Sequence, residues 1–232
     1  FLCASLLPEH GVSAAVVSLD DLYLPLAARE RIAQDIHPLF RTRGVPGTHD
    51  VDAGIALLDD MAAGREALIP RFSKALDDRL PRADWTRHVG KVDILLFEGW
   101  CVGARPQDAA SLIEPLNALE AQEDAEGIWR RHVNMALQTS YAQLFSRIDH
   151  LVMLQPPSFD HVLANRLLQE HKLRAAAPDA PAIMDDAAVA RFVSHYERVT
   201  RHMFADLPAR ADILFRLDAQ QNVMSCQRLA RP

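Results

Sequence analysis

Four short apolar runs, with helical patterns between them, constrain this chain more than any other feature. They are 13–19 (SAAVVSL), 92–97 (VDILLF), 150–154 (HLVML) and 211–217 (ADILFRL). Runs this short, bounded by polar or turn residues, read as buried strands. The intervening stretches have helical spacing. One helix is expected over 51–63, closed by Gly64 and capped by Asp50 or Asp52. A second, over 128–145, places Trp129, Val133, Ala136, Leu137, Tyr141 and Leu144 on one face. A third starts at Ser158. A fourth, over 185–205, carries the stripe Val189, Phe192, Val193, Tyr196, Val199 and Met203. Residues 1–7 read as the end of a helix stopped by Pro8 and Gly11, and 175–182 as an Ala/Pro-rich break. Strands alternating with helical crossovers imply an α/β fold, with a mostly parallel sheet and helices on both faces. No boundary divides the chain, so 1–232 is expected to be one domain. Residues 21–85 look irregular and polar, an insertion over the sheet edge.

Composition narrows the function. The 232 residues carry a formal net charge of -6, which argues against a general nucleic-acid binder. No apolar run approaches a membrane span, and 1–7 lacks the pattern of a signal peptide. Cys3, Cys101 and Cys226 are far apart and form no C-x-x-C pair, so a disulfide framework is not expected and a reducing cytoplasm fits best. The sequence opens within an element and without Met, which suggests a natural start upstream. The histidines form no H-x-x-x-H or H-E-x-x-H pattern.

Four segments carry residues suited to chemistry. In 18–25 (SLDDLYLP) two acids follow a strand, where open α/β sheets place their ligand crevice. Asp20 there suits acceptance of a proton from a hydroxyl, though Asp also serves as a turn cap. Glu98 follows VDILLF, and an acid at such a strand end suits Mg²⁺ held through water, though any strand can end in Glu-Gly. Gly99 beside it would let the backbone approach a ligand. In 41–50 (RTRGVPGTHD) Arg43 has the planar fork that grips carboxylate or phosphate, unless this is a solvated turn. The basic loop 69–81 (IPRFSKALDDRLP) poses the same choice. In 165–174 (NRLLQEHKLR) Arg166 and Glu170 share a helix face and either pair together or belong to a cationic lid.

Taken in order, SLDDLYLP, RGVPGTHDVD, IPRFSKALDDRLP, VDILLFEGWCVG, NRLLQEHKL and VARFVSHYE resemble the P-loop kinases related to uridine kinase, phosphoribulokinase and pantothenate kinase. Within that group they most resemble the D-glycerate 3-kinase branch. The resemblance runs from about Val12 to Leu217. One departure is large: no G-x-x-x-x-G-K-[ST] occurs in the sequence. The resemblance therefore implies a P-loop kinase fold whose first strand and phosphate loop are missing, a truncated chain that is inactive as it stands.

The same resemblance implies roles for particular residues. Asp20 would take the proton of the substrate hydroxyl, with Asp21 and Tyr23 shaping its pocket. Glu98 would hold Mg²⁺ through water. Arg43, His49, Asp50 and Arg71 would grip the acceptor within an acceptor-binding insertion over 21–85. Arg166, Lys172 and Arg174 would neutralise phosphate charge from a lid over 158–184. The expected partners are ATP, Mg²⁺ and a small hydroxy acid, most simply D-glycerate, with no nucleic acid and no membrane. Pantothenate, a nucleoside or another sugar acid fits the same scaffold as acceptor. So does an inactive nucleotide-binding regulator.

Overall fold

A computed structural model describes residues 8–176 and 184–229. The helix expected over 1–7 lies outside the described residues, as does most of the 175–182 break. The chain forms two compact units. One comprises the described residues up to Val102 together with His132–Arg147. The other comprises Gly103–Arg131 together with the described residues from Ile148 onward.

The first unit is built on a parallel pair. Strand β1 (Ala14–Ser18) and the later strand β6 (Ile94–Glu98) run side by side in register, from Ala14 opposite Ile94 to Ser18 opposite Glu98. The acid at the start of DILLF sets that register. The Asp93 carboxylate accepts from Ser13 N at 2.9 Å, and Asp93 N and Ile94 N donate to Ser13 O at 2.9 and 3.0 Å. Helix α1 (Leu26–Asp35) follows Pro25. Helix α2 (Val51–Ala62) is capped by Asp50, whose side chain accepts from Ala53 N at 3.2 Å. Its buried Val51, Gly54, Leu57, Leu58 and Met61 recur at helical spacing.

Residues 21–85 are more ordered than their sequence suggests. Besides α1 and α2 they hold β2 (Ala67–Ile69), antiparallel to β5 (Thr86–His88), and the hairpin β3 (Phe72–Ser73) with β4 (Asp78–Arg79). Strands of two or three residues leave no readable period, so alternation could not reveal them.

The second unit has its own sheet. Strand β7 (Val152–Gln155) pairs parallel with β8 (Ile213–Leu217), and the same aspartate device recurs: the Asp212 carboxylate accepts from Leu151 N at 2.7 Å. A further strand, β9 (Val223–Arg228), adds antiparallel to β8 through a turn in which Asp218 accepts from Gln220 N and Asn222 N at 2.8 Å. Its sequence, VMSCQR, is half apolar with no sustained alternation, so spacing alone gives no strand there. Helices α3 (Ala118–Glu123), α6 (Phe159–Ala176) and α7 (Asp186–Asp206) complete this unit. Phe159 on α6 and Val189 and Val193 on α7 form its core.

The helix expected over 128–145 is two: α4 (Ile128–Gln138) and α5 (Ser140–Phe145). The break falls at Thr139, whose φ of -110° and ψ of -96° leave helical geometry and whose hydroxyl donates back to Met135 O at 2.8 Å. The apolar runs are also less buried than expected. Among the described residues β6 pairs only with β1, and β7 has no partner besides β8. Ile94 is 41% exposed, Val152 50% and Leu154 63%. Among the described residues no helix is long and apolar enough to cross a membrane.

Candidate active site

At the end of β1 the chain turns into one 3-10 turn, Leu19–Leu22. Ser18 starts it by accepting from Asp20 N at 3.3 Å. Leu19 and Leu22 are fully buried, which leaves Asp20 and Asp21 on the outer side of the turn. Because Ser18 lies opposite Glu98, Asp20 and Glu98 stand at the same carboxyl-end rim of one parallel pair. Glu98 is exposed there. Next to it, a Cβ on Gly99 would sit 2.6 Å from Leu19 Cβ. Close packing against the turn, rather than room for a ligand, is therefore what demands glycine.

The Asp20 carboxylate is held from two sides. Tyr23 Oη donates to Oδ1 at 2.7 Å, and Lys74 Nζ lies 2.6 Å from Oδ2. Burial pushes the Asp20 pKa up, but the hydrogen bonds from Lys74 and Tyr23 and the nearby ammonium charge outweigh it. The net result lies below the ordinary carboxylate value, so Asp20 is ionised at neutral pH. Asp21 instead anchors the hairpin, accepting from Arg71 Nη1 at 2.6 Å and Phe72 N at 3.2 Å.

The 44–50 turn packs on this rim. Asp50 N donates to Leu22 O at 2.7 Å, and Leu24 N to Thr48 O at 2.9 Å. This pairing stacks the Tyr23 and His49 rings at 4.6 Å. Gly47 has φ +102°, a conformation L side chains rarely adopt. His49 is 5% exposed, and its Nδ1 lies 2.5 Å from Tyr141 Oη. Burial takes the His49 pKa from 6.5 down to about 3, against the raising effect of Asp20. Burial also pushes the Cys101 thiol up, which excludes a thiolate nucleophile there.

Arginines bind the insertion together. Arg79 donates to Asp50 Oδ2 at 2.9 Å and to the carbonyls of Leu22 and Tyr23. Arg43 pairs with Asp77, and its guanidinium lies 5.7 Å from the centre of the Phe72 ring. Arg29, fully buried, bonds the carbonyls of Leu24, Arg41 and Asp77 and pairs with the Asp77 carboxylate at 3.1 Å.

The structure thus brings Asp20, Asp21, Tyr23, Arg43, His49, Asp50, Arg71 and Glu98 into one unit. Arg166, Lys172 and Arg174 belong to the other. Arg166 pairs with the buried Glu170 at 2.8 Å, the helix-face pairing weighed as the alternative to a lid. Arg174 Nη2 donates to Met184 O at 2.7 Å, and Lys172 is exposed. Sequence reading missed Lys74, Asp77, Arg79 and Tyr141. The first three lie in the recognised basic loop, but nothing local singles them out. Tyr141 gave only a core signal.

Among the described residues no group of three or more acidic, cysteine or histidine side chains forms a metal cage. A single rim carboxylate such as Glu98 fits Mg²⁺, which keeps several waters and takes further ligands from substrate phosphates.

No family model matches the chain. It is 34% identical over 201 residues to an uncharacterized kinase, mug58, of Schizosaccharomyces pombe, a match covering 82% of this chain and 70% of that protein. It is 27% identical over 193 residues to a chloroplastic D-glycerate 3-kinase of Arabidopsis thaliana, covering 79% of this chain and 39% of the plant protein. Among solved structures, a D-glycerate 3-kinase from Cryptococcus neoformans var. grubii superposes with a TM-score of 0.83 at 24% identity, over 99% of this chain and 84% of that one.

Proposed function

The chain belongs to the glycerate kinase type of P-loop kinase, and from that premise we propose that its first unit is the acceptor half of an enzyme that phosphorylates a hydroxyl of a small hydroxy acid. D-glycerate, giving 3-phosphoglycerate, is the acceptor that best fits the relatives. The observation that carries the reading is an ionised Asp20 at the same sheet rim as Glu98, with the Lys74 ammonium 2.6 Å away.

In this reading the acceptor hydroxyl lies against Asp20. Its oxygen attacks the γ-phosphorus of ATP, the bond to the β-phosphate oxygen breaks, and ADP leaves. Asp20 takes the hydroxyl proton. Lys74 contributes positive charge beside the transferring group, where positioning and charge stabilisation supply most of the rate. Tyr23 orients the Asp20 carboxylate by its hydrogen bond. Asp21, Asp50, Arg71 and Arg79 hold the insertion on the rim through their ion pairs. Arg43 faces the acceptor's carboxylate once Asp77 yields its place. Glu98 would hold Mg²⁺ through water, and the ion would draw charge from the phosphate oxygens. Lys172 and the arginines of α6 are the candidates for charge near the phosphates. The motif G-x-x-x-x-G-K-[ST] that cradles phosphates is not in these 232 residues.

The test is phosphoryl transfer by the full-length protein, with labelled ATP and a panel of D-glycerate, pantothenate, a nucleoside and other sugar acids. D-glycerate should be the preferred acceptor, and preference for another would replace it. Asp20→Asn should lower kcat by about 10²–10⁴-fold with folding intact. Unchanged turnover would remove Asp20 as the base.

A further inference from the structure

Tyr141 reaches the rim from α5, and its hydrogen bonds assign a proton. Gly47 N donates to Tyr141 Oη at 3.0 Å. A backbone N–H only donates, so the phenol oxygen accepts there. The same oxygen lies 2.5 Å from His49 Nδ1. If Nδ1 carried the imidazole proton, the Tyr141 hydroxyl proton would have no acceptor among the described residues, although Tyr141 is fully buried. Buried polar groups are almost always paired. The arrangement that satisfies both groups has Tyr141 donating to Nδ1, which leaves the imidazole proton on Nε2.

His49 Nε2 is itself buried and has no hydrogen-bond partner among the described residues. The ring that carries it stacks on Tyr23, whose hydroxyl donates to Asp20 at 2.7 Å. A buried N–H with no partner among the described residues, on a ring stacked against the tyrosine that holds Asp20, is suited to a ligand's oxygen. A site built around such a donor rejects analogues that lack the matching oxygen.

We propose that Tyr141 is a positioning residue that locks His49 into the Nε2–H tautomer, and that this N–H binds a hydroxyl or carboxylate oxygen of the acceptor. The inference rests on reading this site as the acceptor site. Burial supports it by keeping the ring neutral. Among the described residues, the ionisable side chains Asp20, Tyr23 and Tyr141 bear on His49. The donor therefore persists through the physiological range, whereas a charged imidazolium would fade there.

Nitrogen NMR of the full-length protein with labelled histidine tests this. In the wild type, His49 should show a bare Nδ1 and a protonated Nε2, unchanged between about pH 5 and 8. Adding whichever of D-glycerate, pantothenate or a nucleoside binds should move the Nε2 resonance. Tyr141→Phe keeps the ring but removes the hydroxyl. It should populate the Nδ1–H tautomer and raise the acceptor KM about tenfold, with the KM for ATP unchanged. Three results would each overturn the proposal: a protonated Nδ1 in the wild type, a bound acceptor that leaves Nε2 unmoved, or a folded Tyr141→Phe with the original tautomer and acceptor KM. Should that variant not fold, the wild-type spectra decide. Pantothenate or a nucleoside binding and moving Nε2, where D-glycerate does not bind, sinks the D-glycerate reading and supports the donor. Binding by no acceptor of the panel sinks both.

Discussion

Asp20 stands under opposed influences, and the winner determines how the site titrates. Burial raises its pKa, while the hydrogen bonds of Lys74 and Tyr23 lower it further than burial lifts it. Replacing Lys74 by Met removes both its hydrogen bond to Asp20 and its charge. The acid limb of kcat/KM should then move to higher pH, read from a pH–rate profile of the full-length protein, with no change in the alkaline limb. Lys74 is 64% exposed, so water screens its charge and the displacement will be modest. His49 titrates in the other sense. Its folded-state pKa of about 3 lies below the 6.5 of a free imidazole, so below pH 6.5 the unfolded chain binds a proton the folded chain refuses. Stability contributed by His49 is complete above 6.5 and declines as pH falls toward 3, by up to roughly 4–5 kcal/mol in the limit. Urea midpoints between about pH 4 and 7 should show that slope, and His49→Gln should flatten it.

At the scale of elements, one device recurs in both units. An aspartate one residue before a strand accepts a hydrogen bond from the neighbouring strand's start and pins a parallel register: Asp93 for β6 and Asp212 for β8. The turn after β1 adds a second constraint, because Gly99 after β6 must pass Leu19 without a side chain. Gly99→Ala would force two backbone segments apart and should cost about 1–3 kcal/mol, measured by chemical denaturation. In the second unit, the buried Arg198 of α7 is held by the Glu120 carboxylate at 2.6–2.7 Å and by the carbonyls of Ser111 and Glu114. This network, like the Arg130–Asp124 pair, serves the architecture of that unit.

Across the molecule, the β1–β6 pair and the β7–β8–β9 sheet both end in edge strands with no further strand partner among the described residues, and on β6 and β7 these edges expose Ile94, Val152 and Leu154. Unpaired edges with exposed apolar side chains template association. The 232-residue chain should therefore self-associate at micromolar concentration, as seen by light scattering, and Leu154→Lys on β7 should reduce it. A monodisperse monomer with the exposed Leu154 intact would count against that expectation. By itself the sequence determined what depends on neighbours along the chain: four strands read from short apolar runs, the Asp50 cap, and acids following β1 and closing β6, because backbone periodicity and capping are local. Only the tertiary structure decided that Lys74 reaches Asp20, that Asp77 occupies Arg43, and that Tyr141 meets His49 across 92 positions. Those contacts depend on how distant segments pack, and neither residue type nor spacing carries that geometry.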